Sequence, residues 1–147
     1  MYGYLSAVLA EKGGHVYTIS PEATVQVAVH TMDEYGVGAL LVVERGQPVG
    51  MFTERDVLRR VVEEVRDPAT TYVGDVMTAS LATADPETRV EDAMAMMTDH
   101  RFRHLPVVQA GHVVGLVSIG DLMRWVSINQ EAHIQHLTDY ITGRAPD

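Results

Sequence analysis

The chain has 147 residues, 46% of them hydrophobic and 21% charged, a balance that fits one compact domain or two small ones sharing a core and excludes a wholly disordered or collagen-like chain. Its formal charge is −9 and its pI about 5.1, so no global basic field is available for DNA or RNA and no nucleic-acid partner is expected. It holds no cysteine, which excludes disulfides, thiolate zinc sites, iron–sulfur clusters and cysteine nucleophiles.

The opening Met1-Tyr2-Gly3-Tyr4-Leu5 lacks a basic stretch followed by a long apolar one, so no signal peptide is expected. No apolar run reaches the ~18 residues that span a bilayer. The expected setting is cytoplasmic, with no membrane partner.

In chain order, Thr18 to Pro21 reads as a short strand stopped by proline, with Ser20 placed to cap the next helix. Val25, Ala28, Val29 and Met32 fall at helical spacing and predict an amphipathic helix whose methionine is core packing. Two apolar runs, 39–43 and 49–52, flank a turn at Gly46 and read as a hairpin. A helix begins after Thr53, and a polar linker over residues 64–72 carries Asp67-Pro68. The series then returns: strand Thr83 to Pro86 with Asp85 as its capping residue, then the stripe Val90, Ala93, Met94 and Met97. Strands 104–108 and 113–117 follow about Gly111, and a helix starts after Ser118. Residues 127–143 extend that helix with Ile128, Ile134, Leu137 and Ile141 and stop at Gly143.

That return is a duplication. Residues 16–61, moved forward by 65 positions, overlay 81–126 without a gap, and Pro21/Pro86, Val25/Val90, Met32/Met97, Gly46/Gly111, Gly50/Gly115, Asp56/Asp121 and Arg59/Arg124 are identical pairs. One unit alone has too small a core to stand, so the two copies must share one. The expected fold is α/β (α+β): two β-α-β-β-α repeats packed sheet to sheet in pseudo-two-fold symmetry, with an extended C-terminal helix. The expected boundaries are 5–63 and 73–127 for the repeats, 64–72 for the linker and 128–147 for the C-terminal helix and tail.

Each repeat closes on Gly-h-h-Thr/Ser-x-x-Asp, where h is apolar: Gly50-Met-Phe-Thr53-Glu-Arg-Asp56 and Gly115-Leu-Val-Ser118-Ile-Gly-Asp121. The companion strands read Ala39-Leu-Leu-Val-Val43 and His104-Leu-Pro-Val-Val108. With this tandem motif the chain resembles a cystathionine-β-synthase (CBS) domain pair, or Bateman module, over about residues 5–127. The resemblance implies a sensor of adenosine-bearing ligands such as AMP, ADP, ATP, NAD or S-adenosylmethionine. It is closest in kind to the stand-alone pairs, which would act on an unidentified target protein.

Thr53 and Ser118 stand at strand-to-helix junctions with Asp56 and Asp121 in the first turn. A carboxylate accepts two hydrogen bonds and suits the paired hydroxyls of a ribose, whereas the same spacing also makes a plain capping box. Phosphates need local positive charge, and Arg101-Phe102-Arg103-His104 stands where the first copy has Gly36-Val37-Gly38-Ala39. The resemblance makes Arg103 and His104 the leading phosphate ligands, followed by Arg55 and Lys12, and puts the base pocket at Gly38, Ala39, Val76 and Met77. No phosphate-loop or dinucleotide glycine fingerprint is present.

The pair His100/His104 straddles a helix-to-strand change, the pair His133/His136 lacks an obvious third ligand beside Glu131 or Asp139, and no nucleophile, base and oxyanion set can be assembled. No metal and no enzymatic activity are therefore expected. The alternatives to a sensor are a structural module with empty clefts and, behind it, a nucleotide-processing enzyme. A homodimer is expected through an apolar stripe of Leu122, Trp125, Val126, Ile128, Ile134, Leu137 and Ile141 on the last helix.

Overall fold

The computed structural model describes residues 2–142, with side chains described as far as Gln130. The elements are α1 (Leu5–Lys12), β1 (Thr18–Ile19), α2 (Val25–Tyr35), β2 (Ala39–Glu44), β3 (Gln47–Thr53) and α3 (Glu54–Asp56), which runs on as a π-helical stretch Val57–Val62. They continue with α4 (Val73–Val76), α5 (Val90–His100), β4 (His104–Gln109), β5 (His112–Ser118) and α6 (Ile119–Thr142). The expected stop at Gly143 and the side chains of His133, Ile134, His136, Leu137 and Ile141 lie outside the described residues.

The duplication extends to backbone irregularities. In each hairpin both residues of the two-residue turn have positive φ, Arg45 and Gly46 at 53° and 77°, Ala110 and Gly111 at 51° and 81°. That is the requirement of the mirror-image turn that matches strand twist. Each ladder also slips once, between Val42 and Val43 and between Val107 and Val108, leaving Val49 and Val114 as the extra residues. β1 lies parallel to β2, whereas its second-copy counterpart is reduced to a single parallel bridge from Ala84 to Val107.

Helix capping differs from expectation. Ser20 accepts from the Glu22 amide at 3.1 Å and Asp85 from the Glu87 amide at 2.8 Å, so both close turns ahead of their helices. The cap of α2 is Thr24, which accepts from the Val27 amide at 3.3 Å, and α5 begins at Arg89 with no side-chain cap.

Alternation along β2 sends Leu40 and Val42 into a first-repeat core with Ile19, Val25, Ala28, Met32 and Phe52. Ala39 and Leu41 point the other way, to a layer with Met51, Leu81, Val113 and Leu116 that joins the two sheets. The second-repeat core holds Val90, Ala93, Met97, Leu105, Val107, Val117 and Leu122. Each core is completed by the helix preceding the other repeat. Leu5 and Val8 of α1 belong to the second core, and Val73 and Val76 of α4 to the first. The backbone bonds match: Leu5 N to Thr88 O (2.9 Å) and Ser6 N to Pro86 O (3.0 Å) mirror Val73 N to Ala23 O (2.8 Å) and Gly74 N to Pro21 O (2.9 Å).

Of the apolar stripe expected to dimerise, Leu122, Trp125, Val126 and Ile128 are described, and the first three pack inward. Leu122 is fully buried, Trp125 and Val126 pack on the second core, and the Trp125 indole donates to Tyr2 O at 2.7 Å. Met123 and Ile128 on the opposite face stay exposed.

Candidate functional site

Both motif loops form reciprocal caps. Thr53 N donates to Asp56 Oδ2 at 3.0 Å while Asp56 N donates to Thr53 Oγ1 at 3.3 Å. Ser118 N donates to Asp121 Oδ2 at 2.8 Å while Asp121 N donates to Ser118 Oγ at 3.1 Å. The capping alternative is thus realised in both copies, and it fixes each carboxylate at the mouth of its junction.

The two carboxylates then diverge. Asp56 is 6% exposed, and its Oδ1 accepts from Thr78 Oγ1 at 3.1 Å with Arg60 Nε 3.6 Å away. Both of its oxygens are occupied. The Asp121 side chain is 29% exposed, and its Oδ2 receives Lys12 Nζ at 2.5 Å. Among the described residues nothing donates to its Oδ1. Burial would raise the Asp121 pKa, but the Lys12 ammonium and the Ser118 amide outweigh it and hold the carboxyl below its ordinary value.

The glycine that opens the first motif is required by packing against backbone, and the one that opens the second leaves room for the Leu9 side chain. A Cβ at Gly50 would stand 2.6 Å from Met77 Sδ and 2.9 Å from Thr78 O, and one at Gly115 would stand 2.5 Å from Leu9 Cδ2. Both helices that complete the cores therefore rest on the motif strands, and α1 delivers Lys12 to the second cleft.

His104, entering β4, lies in the same neighbourhood. Burial depresses its pKa first, and the nearby Lys12 charge adds to that; Asp121 and Glu54 pull the other way while Arg103 reinforces the depression. The imidazole is neutral at neutral pH, so an anion would have to supply the charge balance for it to protonate.

Arg103 opens onto a cleft of about 440 Å³ lined by Arg55 from the first repeat, Arg101 and Arg103, with Met97, Phe102, Ile119 and Met123 as its apolar walls. Three guanidinium groups and no carboxylate line it, in a chain of net charge −9. Of the four basic residues expected to read phosphate, Arg55 and Arg103 thus meet in this cleft and Lys12 and His104 gather at Asp121.

The residues expected to form the base pocket differ in burial. Val76 is 2% exposed inside the first core and Ala39 5% exposed between the sheets, so Val76 presents no surface to a ligand. Gly38 backs onto Glu54, whose carboxylate carbon would stand 3.4 Å from a Cβ there, and Met77 packs on Gly50. Among the described residues no group of His, Asp and Glu is placed to hold a metal. Sequence reasoning missed Arg101 and Thr78. Arg101 was visible as the residue replacing Gly36 between copies, whereas Thr78 lies past the linker, where no repeat offset points to it.

The fold is shared with known proteins. The CBS domain family model matches residues 13–63 and 73–128. The chain is 40% identical over 148 aligned residues to the CBS domain-containing protein CBSX3, mitochondrial, of Arabidopsis thaliana, covering 95% of this chain and 72% of that protein. A solved structure of a protein from Burkholderia ambifaria MC40-6, described as a signal-transduction protein with CBS domains, is 39% identical with TM-score 0.83 over 86% of this chain and 96% of its own. The hexameric CBS-CP12 protein from bloom-forming cyanobacteria is 26% identical with TM-score 0.76, over 96% and 87%. With its duplicated hairpins, its paired capping motifs and both family matches, the chain belongs to the CBS domain family, as a tandem pair.

Proposed function

We propose that this CBS pair senses an adenosine-bearing nucleotide (AMP, ATP or NAD) in the cleft between its repeats and alters the activity of a partner protein in the cytoplasm, without turnover. The observation that carries the reading is the three-arginine cleft in an otherwise acidic chain, with Asp121 and Lys12 lining a separate pocket. Guanidinium groups match phosphate geometry, and Phe102 offers an apolar face to a base. In this reading Ser118 and Asp121 present the ribose acceptor, and Arg55, Arg101 and Arg103 meet phosphate. Thr53 and Asp56, capped and buried, support the first junction.

A panel of AMP, ATP, NAD and S-adenosylmethionine, followed by calorimetry and by assay for product, tests it. Asp121→Ala is expected to weaken nucleotide binding by about 1.5–3 kcal/mol, the range for hydrogen bonds to a charged group, and Arg103→Ala to weaken AMP more than adenosine. No binding across the panel would favour the structural module, and product formation would favour the enzyme. We also propose a homodimer, through the exposed Leu58 and Met123, which occupy equivalent positions in the two repeats.

A further inference from the structure

The two motifs are closed by different chemistry. In the first repeat, Thr78 N donates to Met51 O at 2.9 Å and Thr78 Oγ1 donates to Asp56 at 3.1 Å. The repeat offset of 65 carries Met51 to Leu116 and Asp56 to Asp121. At those positions the donors come from one group: Lys12 Nζ reaches Leu116 O at 2.7 Å and Asp121 Oδ2 at 2.5 Å. A single ammonium in direct contact therefore stands where the first repeat has a backbone bridge and a hydroxyl, with Arg60 Nε farther off at 3.6 Å from Asp56 Oδ1.

The exchange matters because the two closures differ in what it takes to open them. Removing Thr78 from Asp56 means unpairing a backbone bridge that flanks β3. Removing Lys12 from Asp121 means rotating a side chain that is 33% exposed, while Leu5 and Val8 keep α1 seated in the second core. An ammonium also responds to charge as a hydroxyl does not. An anionic group at the His104 and Arg103 side competes with Asp121 for Lys12 and draws it off, and its departure frees the Asp121 carboxylate and the Leu116 carbonyl for donors on the ligand.

We infer that Lys12 is a displaceable gate on Asp121, opened by the anionic group of the same ligand whose hydroxyls Asp121 then accepts. The inference rests on the nucleotide reading above and adds to it a selection rule: a ligand with hydroxyls and no anion must break the ion pair uncompensated. Lys12 is the chain's only lysine, so the rule hangs on one side chain.

Calorimetry with adenosine and AMP on the full chain and on Lys12→Met tests it, with Lys12→Gln as a second variant and thermal melts to check folding. Loss of the ammonium is expected to tighten adenosine about threefold or more and to weaken AMP about tenfold, changes of opposite sign. Lys12→Arg, which keeps the charge, is expected to keep the preference for AMP. Changes of the same sign for both probes, or none in either, overturn the gate while leaving the nucleotide reading standing. No binding of either probe to the unmodified chain or the variants overturns both.

Discussion

Arg101 holds a left-handed backbone conformation, φ 59°, at the position where the first repeat closes its helix with Gly36 at φ 64°. For an L residue with a Cβ that conformation costs about 1–2 kcal/mol, partly offset because glycine loses more chain entropy on folding. Arg101 also lines the arginine cleft, so here the strained backbone and the candidate site coincide. Arg101→Gly is expected to stabilise the protein by about 1 kcal/mol while weakening AMP binding. Thermal unfolding and calorimetry on the one variant read both. A variant that is no more stable removes the strain argument, and unchanged AMP affinity removes Arg101 from the site.

At the scale of elements, each repeat is finished by a helix that the sequence places before the other one. Leu5 is fully buried in the second core, so Leu5→Ala is expected to cost about 2–5 kcal/mol, as a core truncation within β4 such as Leu105→Ala would. Urea denaturation followed by tryptophan fluorescence measures it, because Trp125 packs on that same core. A change below about 0.5 kcal/mol would mean that α1 only rests on the surface. The strands and the α2 and α5 helices were legible in the sequence because alternation and helical spacing are local signals; Leu40, Val42, Val90 and Met97 each fall on the face their spacing gives. The docking of α1 was not legible. Its bonds to the second repeat mirror those of α4 at an offset of 68 (Leu5 to Val73, Ser6 to Gly74) rather than 65, and a gapless overlay passes over it. The same shift hid the Lys12–Asp121 pair, since nothing in the spacing of residues 109 apart says that they meet. The motif loops themselves were legible, and the divergence of Asp56 from Asp121 was not, because burial depends on which segment lands on each.

At the scale of the molecule, the last helix of each repeat leaves apolar side chains exposed among the described residues. Leu58 is 64% exposed, Val62 61% and Met123 59%, while Arg55, one turn before Leu58, lines the same cleft as Met123. The two ridges therefore lie on one side of the molecule. Because Leu58 and Met123 are equivalent under the repeat, the patch has an approximate two-fold symmetry of its own, and a second copy turned about that axis can bring like ridges together. Burying such side chains against a partner contributes about 1.5–3 kcal/mol for each one fully covered, whereas leaving them in water gains nothing. Light scattering is expected to give twice the chain mass of 16.2 kDa, and Leu58→Asp with Met123→Asp to return it to one chain by placing like charges where the ridges would meet. A single-chain mass at micromolar concentration overturns the dimer. A mass of two chains that survives both substitutions moves the interface elsewhere, and a mass of six would put this chain with the hexameric CBS-CP12 assembly instead.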